Sequence, residues 1–146
     1  LFDKQGKKQD VADLHVKIGL VNHQVSEHYE NARKAFEKAL SLFKSLDGKQ
    51  DHNVATCYDR IGDTYEKEKK YYDALHFRTS ALEIWKKVLD ANNPILGQSY
   101  VALGVIDISL EQYGKAIENL DRALKIYANS LPSNHSAVAL AYKRRG

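Results

Sequence analysis

The sequence contains few of the residues that mark several classes of protein. It has one cysteine, two prolines and eight glycines among 146 residues. A single cysteine excludes a framework of disulfides within the chain and is typical of a reducing compartment. The scarcity of proline and glycine argues against linkers and against collagen-like sequence. We therefore expect an ordinary folded protein with a cytoplasmic location.

Charge of one sign and long apolar runs are also missing. The chain carries 22 basic and 19 acidic residues, a formal net charge of +3, and 43% of its residues are apolar. No segment approaches the roughly 18 uncharged apolar residues that indicate a membrane-spanning helix. Because neither half of the chain is strongly basic, the bulk charge does not imply nucleic acid. The sequence predicts no membrane partner and no nucleic-acid partner.

What the sequence does contain is an internal repeat of 42 residues. Tyr29, Tyr71 and Tyr113 are separated by this step. Five further sets of small, aliphatic or aromatic residues keep it: Ala32, Ala74 and Ala116; Ala39, Ala81 and Ala123; Leu40, Leu82 and Leu124; Leu42, Ile84 and Ile126; and Phe43, Trp85 and Tyr127. So many matches in one register indicate a repeat architecture.

A glycine precedes the tyrosine of each repeat. Gly62, Gly104 and Gly146 follow the 42-residue period, whereas Gly19 lies one residue further from its tyrosine. The first repeat therefore carries an insertion of one residue after Gly19.

Each repeat is predicted to form a pair of helices, which we call helix A and helix B. Apolar and small residues recur at spacings of three, four and seven, which places them on one helical face. Small residues such as Gly62, Ala74 and Ala81 let the two backbones approach, and large ones such as Tyr58 and Trp85 fill the space between them. We predict seven helices, at about 9–25, 28–46, 52–68, 71–89, 94–110, 113–130 and 135–146.

The repeats are expected to form one array over residues 1–146 without an internal domain boundary. Its repeats span about 9–50, 51–92 and 93–134, with a partial repeat at about 135–146. Leu1 and Phe2 resemble Leu42 and Phe43, the end of a helix B. We therefore expect the chain to be an excerpt from a longer array.

The pattern resembles the tetratricopeptide repeat family. The small and aromatic positions of that family are matched by Gly62, Tyr65, Tyr71, Ala74 and Ala81. The long 42-residue form resembles the repeats of the kinesin light chain class. This resemblance implies an all-α fold, a right-handed α-solenoid of antiparallel helical hairpins. One departure is the tyrosine found at residue 65, which is Asn22 in the first repeat and Asp107 in the third.

The resemblance also implies that peptides bind the concave wall that the helices A line. Carried over by position relative to the repeat glycine, the candidate peptide-binding groove consists of residues from each repeat. These residues are Val16, Leu20, Thr56, Asp59, Asp63, Glu66, Gln98, Val101, Val105, Ile108 and Lys143.

Three carboxylates stand out in this set. Asp59, Asp63 and Glu66 are three or four residues apart, so they project from one side of a helix. One interpretation is a site for a basic or amide-donating partner. The alternative is a solvated face that pairs with Arg60, Lys67 or Lys70, and the sequence does not decide between the two interpretations.

Helix A of the third repeat is apolar almost all round, which is typical of a helix buried on more than one face. Val101, Val105 and Ile108 are expected to face the groove or a partner chain. The alternative is that long side chains from helix B cover them.

No set of residues resembles a catalytic site. No pair of the six histidines has the spacing of three or four that two metal ligands on one helix face need, and Cys57 is expected to be a buried, inert thiol. We predict a non-enzymatic scaffold for protein or peptide binding, an adaptor or cargo-recognition module, without a cofactor or a metal. Its ligand would be basic with apolar anchors. The alternatives are a self-association segment and a sensor or regulatory arm of a larger signalling enzyme.

Overall fold

The computed structural model describes residues 2–24, 28–46 and 50–130, with side chains from Gly6 onward. Within these ranges the chain forms six helices and no strand, which confirms the all-α class. The helices are α1 (Phe2–His23), α2 (Tyr29–Ser45), α3 (Asp51–Lys67), α4 (Tyr71–Val88), α5 (Pro94–Ser109) and α6 (Tyr113–Ser130). The seventh predicted helix, at about 135–146, lies outside the described residues.

The predicted start of the first helix is wrong. Helix α1 begins at Phe2 instead of near residue 9, so Phe2 opens a helix A instead of closing a helix B. Residues 2–8 contain lysines and glutamine, which favour a helix, and no proline. Gly6 alone, at about 1 kcal/mol relative to alanine, does not stop it. The other helices begin and end within two residues of the predicted positions.

The turns between helices A and B repeat their geometry. Lys69 and Glu111, which are 42 residues apart, both have a left-handed backbone with φ of 63° and 60°. In each turn the next residue donates its backbone N–H to a carbonyl five residues earlier, from Lys70 to Tyr65 at 2.9 Å and from Gln112 to Asp107 at 2.8 Å. This pattern closes a helix C-terminus with a left-handed residue. The repeat in sequence is therefore also a repeat in backbone conformation.

The repeat glycines lie where the facing helix of the hairpin leaves little room for a side chain. A Cβ atom at Gly62 would lie 3.0 Å from Cγ of Arg78, and one at Gly104 would lie 2.9 Å from Leu120. In the first repeat a Cβ at Gly19 would lie 2.5 Å from the ring of Phe36. These contacts confirm that the glycines permit close approach of the helix backbones.

The packing divides within α4 into two compact units, residues 1–84 and 85–146. In the first unit, α2 packs against α1 and α3. Its core consists of two groups of buried residues: Ala32, Phe36 and Ile61; and Ala12, Ala39, Phe43, Leu46, Val54 and Cys57.

In the second unit, α5 packs against α6. Ala123 and Tyr127 of α6 form one buried group of its core, and Gly97 of α5 lies against the ring of Tyr127. Trp85 is buried, as its position on the inner face of helix B predicts. Asn93 caps α5, because its side chain accepts the backbone N–H of Ile95 at 2.9 Å.

We expect Gly19→Ala to lower the free energy of unfolding by about 1–3 kcal/mol, since the new methyl would displace the buried ring of Phe36. Gly6→Ala is the matched control within the same helix, because a Cβ there meets nothing within 4 Å. That change should raise stability by about 0.5–1 kcal/mol. Urea unfolding followed by circular dichroism checks both, and a Gly19→Ala chain as stable as the wild type would contradict the assigned contact.

Candidate functional site

The three carboxylates of α3 surround an arginine of α4. Nη2 of Arg78 donates a hydrogen bond to Oδ1 of Asp63 at 3.3 Å. Nη1 of Arg78 lies 3.6 Å from Oδ1 of Asp59, and Nη2 lies 3.9 Å from Oε1 of Glu66. The side chain of Arg78 is only 17% exposed. The carboxylates therefore form an ion-pair network within the chain.

The position of Arg78 explains why it needs these carboxylates. The 42-residue step relates Arg78 to Phe36 and Leu120, which are both fully buried. The stem of Arg78 packs on Gly62 as the other two side chains pack on their repeat glycines. A guanidinium brought into such a position requires nearby opposite charge. The carboxylates supply that charge.

The carboxylates and the apolar residues of α5 occupy equivalent positions. Leu120 lies 42 residues after Arg78, and three aliphatic residues lie 42 residues after the three carboxylates. Asp59, Asp63 and Glu66 correspond to Val101, Val105 and Ile108. The second repeat therefore has a charged version of a surface that is apolar in the third.

A histidine of α1 also contacts the carboxylates. Nε2 of His23, at the end of α1, lies 2.6 Å from Oδ2 of Asp63. The His23 ring also lies edge-on to Tyr29, with ring centroids 5.8 Å apart. Asp63 thus contacts both Arg78 and His23, on two different helices.

The sequence interpretation missed Arg78 as a member of the site. The candidate partners named for the carboxylates were Arg60, Lys67 and Lys70. The first two belong to α3 itself, and Lys70 directly precedes α4. Arg78 could have been identified because it is a charged residue at a repeat position that is phenylalanine in the first repeat and leucine in the third.

A second ion pair joins α2 to the end of α3. Oε1 of Glu68 lies 3.0 Å from Nη1 of Arg33, and Oε2 lies 3.1 Å from Nζ of Lys70. The Arg33 guanidinium also lies 4.3 Å from the centroid of the Tyr65 ring. Burial alone would raise the pKa of Glu68, but the hydrogen bonds from Arg33 and Lys70 outweigh it and lower that pKa. The pair therefore stabilises the fold at neutral pH and weakens on acidification.

Helix α5 divides its apolar residues between two faces. Leu96, Leu103 and Ile106 are buried, whereas Val101 and Val105 are half-buried. Ile108 is 37% exposed. Val101 also packs against the core around Tyr127. The second face is therefore partly covered, and its exposure increases toward Ile108.

The remaining groove candidates differ in their surroundings. Val16 and Leu20 are half-buried and pack against the core around Phe36. The Thr56 hydroxyl donates to the carbonyl of His52 at 2.8 Å, and Gln98 is exposed. Lys143 lies outside the described residues. None of the ten described candidates is fully buried, and a binding role for them stays a prediction.

A polar pair replaces an aromatic pair at equivalent positions of the second and third repeats. The rings of Tyr65 and Phe77 stack with centroids 5.5 Å apart. Asp107 and Asn119 lie 42 residues after Tyr65 and Phe77, and Nδ2 of Asn119 donates a hydrogen bond to Oδ2 of Asp107 at 2.7 Å. Burial raises the pKa of Asp107, more than the bond from Asn119 and the charge of Lys115 lower it.

Cys57 is buried, as expected, and burial raises the pKa of its thiol to about 11. The thiol is therefore protonated at neutral pH. In the part of the chain that the structure describes, no group of three His, Cys, Asp or Glu side chains is placed to hold a metal ion. None of the helices described has the length and the apolar character needed to cross a membrane.

The chain belongs to the tetratricopeptide repeat family, because the sequence pattern of that family matches residues 10–77 and again residues 59–129. Protein KINESIN LIGHT CHAIN-RELATED 2 of Arabidopsis thaliana is 33% identical over 143 residues, which cover 94% of this chain and 21% of that protein. Protein KINESIN LIGHT CHAIN-RELATED 3 of the same plant is 29% identical over 130 residues, which cover 86% and 19%. The array therefore resembles kinesin light chain repeats, and it spans about a fifth of the length of these curated relatives.

Two solved structures show the same fold. The apo form of RapI superimposes with a TM-score of 0.81 at 20% identity, over 93% of this chain and 47% of RapI. BtubC (BKLC) from P. vanneervenii gives a TM-score of 0.74 at 14% identity, over 94% and 61%. Tetratricopeptide repeat domains bind protein or peptide partners, and the family supports a protein-interaction scaffold.

We expect Arg78→Leu to lower the free energy of unfolding by about 1–2 kcal/mol at neutral pH. Leucine keeps the packing on Gly62, but the change leaves Asp59, Asp63 and Glu66 without the guanidinium. The loss should shrink as the pH falls toward about 4, where carboxylates take up protons.

The control is Lys34→Leu, which removes an exposed pair with Glu30 and should change stability by less than about 1 kcal/mol. Urea unfolding at two pH values measures both variants. Equal, pH-independent losses in the two variants would show that the carboxylates do not depend on Arg78.

Relative to the wild type, Asp107→Asn should raise the free energy of unfolding more at neutral pH than at acid pH. Because the folded pKa of Asp107 is raised, its protonated form is favoured by folding, and this contribution is lost as the pH rises through that pKa. Asparagine does not titrate and still accepts from Asn119.

The stability difference between Asp107→Asn and wild type should therefore widen in favour of the variant between about pH 4 and pH 7. Glu118→Gln removes an exposed carboxylate of α6 and serves as control. A stability difference that stays constant across this range would contradict the raised pKa of Asp107.

Proposed function

We propose that this array binds a peptide segment of a partner protein and acts as an adaptor or cargo-recognition module. The observation that carries the proposal is the second apolar face of α5, where Ile108 is exposed beside the half-buried Val105. Core packing accounts for the first face and, through Val101, for part of the second, but it leaves Ile108 exposed.

The α5 surface fits an apolar anchor of a ligand. Val101, Val105 and Ile108 follow one another at spacings of four and three, so they form a line along the helix. Covering such a line removes apolar surface from water at about 25 cal/mol per Å². The exposed amide of Gln98 on the same helix can hydrogen-bond a peptide backbone.

The α3 surface suits a basic group of a ligand, which we treat as a separate contact. Asp59, Asp63 and Glu66 are each only partly exposed and already contact Arg78. A ligand lysine or arginine would share these carboxylates with Arg78, in charge-assisted hydrogen bonds that are stronger than neutral ones. This contact should be weaker at high salt, because screening reduces the attraction between exposed charges.

Two other functions use the same features. Self-association would place the α5 line of one chain against another chain, and it predicts a mass that rises with concentration. A regulatory arm of a larger signalling enzyme would place the array beside a further domain. The array covers about a fifth of the relatives it matches, so the role of a whole protein rests on more than these residues.

Random peptides displayed on phage and selected on the wild-type chain test the proposal. We expect enriched sequences with aliphatic anchors. Ile108→Asn should weaken their binding about tenfold in titration calorimetry, which corresponds to about 1.4 kcal/mol for a partly buried apolar contact.

Ile117→Asn is the matched control, since Ile117 is an exposed isoleucine of α6 in the same unit, outside the helix-A surface. It should bind as the wild type does. Equal binding by Ile108→Asn and wild type would contradict the proposal. A concentration-dependent mass in sedimentation that Ile108→Asn abolishes would favour self-association.

A further inference from the structure

The turn between α4 and α5 forms one wall of a small pocket in the second unit. The described residues that line the pocket come from the end of α4, this turn, α5 and α6: Lys86, Leu89, Ala91, Leu96, Tyr100 and Ile126. The pocket has a volume of about 240 Å³. None of these residues belongs to the candidate peptide-binding groove, so the pocket is a separate feature of the molecule.

The pocket has an apolar interior and a basic rim. Leu96 and Ile126 are buried, and Leu89 and Tyr100 are half-buried. Lys86 is exposed and brings an ammonium group to the edge. Among the lining residues that the structure describes, none is acidic. A molecule in the pocket would therefore meet apolar side chains and one positive charge.

Hydrogen bonds within the turn hold this wall in place. The backbone N–H of Leu89 donates to the carbonyl of Trp85 at 2.9 Å. The backbone N–H of Asn93 donates to the carbonyl of Asp90, also at 2.9 Å, and the Asn93 side chain caps α5. The pocket therefore does not need a ligand to form, which is usual for small-molecule sites.

The equivalent lysine of the first unit is engaged by a tyrosine of the chain itself. Lys44 and Tyr58 lie 42 residues before Lys86 and Tyr100. Nζ of Lys44 donates a hydrogen bond to the Tyr58 hydroxyl at 2.8 Å and lies 5.2 Å from the centroid of that ring. The ammonium of Lys44 is therefore already paired with a hydroxyl and with the face of a ring.

In the second unit an arginine takes the place of the lysine on the tyrosine ring. The guanidinium of Arg122 lies 5.8 Å from the centroid of the Tyr100 ring. The chain has the uncharged Ser80 at the position 42 residues before Arg122. Among the described residues, Lys86 makes no hydrogen bond and no ion pair. Its ammonium is therefore available to a ligand in the pocket.

We propose that this pocket binds a small organic acid that carries one carboxylate on a compact apolar body. A cavity of about 150 Å³ lined by aliphatic and aromatic residues accepts benzene. Pockets for drug-sized ligands begin at about 300 Å³. A volume of about 240 Å³ therefore suits a single ring with a short arm and leaves no room for a peptide segment.

The charge of the pocket selects the carboxylate. The Lys86 ammonium would donate a charge-assisted hydrogen bond, which is stronger than a neutral one. In the first unit the equivalent ammonium and hydroxyl lie 2.8 Å apart, so Lys86 and the Tyr100 hydroxyl can reach the same carboxylate. Arg122 beside Tyr100 adds a second positive charge. The apolar body of the acid would contact Leu96 and Ile126.

Phenylacetate and its neutral amide, phenylacetamide, are matched probes of the whole chain. Methyl resonances of Leu89, Leu96 and Ile126 report binding in a nuclear magnetic resonance titration. We expect both probes to shift these resonances and the acid to bind about tenfold more tightly, since only the acid pairs with Lys86. Lys86→Met keeps an apolar stem without the charge. It should lower the affinity for the acid to that for the amide and leave the affinity for the amide unchanged.

Lys87→Met is the matched control, because Lys87 is the neighbouring exposed lysine and is not among the lining residues. It should bind phenylacetate as the wild type does. Both variants change an exposed side chain, so both should stay folded, which circular dichroism checks. The proposal is overturned if the acid and the amide bind equally, if the two variants weaken binding of the acid alike, or if the methyl resonances do not shift.

N-acetyl-alanyl-phenylalanine distinguishes a free acid from the end of a peptide, since it carries a phenyl group and a terminal carboxylate on a peptide backbone. The pocket should bind this peptide more weakly than phenylacetate, because it has no room for the backbone. Tighter binding of the peptide would overturn the assignment to a free small acid.

Discussion

The contact between a glycine of helix A and one residue of helix B is the constraint on which each hairpin depends. At Gly19, Gly62 and Gly104 the helices come too close for a further carbon atom without displacement of the facing side chain. The residue seated on that glycine is therefore confined between two backbones. Whether this residue is apolar or charged decides which residues can lie beside it on helix A. An apolar residue needs apolar neighbours, and a charged one needs opposite charge.

This constraint accounts for the two kinds of surface along the array. Arg78 sits on its glycine among three carboxylates, whereas Leu120 occupies the equivalent position in a repeat whose corresponding residues are aliphatic. The acidic character of α3 is thus tied to Arg78, and any partner that uses these carboxylates competes with a group of the chain itself. The apolar residues of α5 have no ion pair with which a ligand would compete. Ile108 is also more exposed than the carboxylates of α3. These features support the proposal that a peptide would make its main contact with α5.

The sequence predicted the class of fold, the pairing of helices and the close contacts at the glycines, because small and aromatic residues of the same type recur every 42 positions. It did not reveal Arg78 as the counter-ion, because the residue type changes there while the position keeps its packing role. The sequence marked Asp107 as a departure from tyrosine, but it could not supply Asn119 as the partner. That pairing depends on which side chain of α6 lies opposite, and only the packed helices determine this. The early start of α1 was missed because the first residues resemble the end of a helix B. In the structure the helix propensity of residues 2–8 prevails, and α1 begins at Phe2.

The most direct measurement exchanges the charged surface of the second repeat for the apolar one of the third. Asp59→Val, Asp63→Val and Glu66→Ile are combined with Arg78→Leu in one chain and made without it in another, and the urea unfolding of both is compared with that of wild type. The complete exchange should be as stable as the wild type or more stable, since a partly buried ion-pair cluster can be replaced by well-packed apolar residues at no loss. The chain that retains Arg78 should be strongly destabilised, because its guanidinium would lose all three carboxylates. A complete exchange that is no more stable than the chain retaining Arg78 would contradict the claim that the residue on the glycine determines its surroundings.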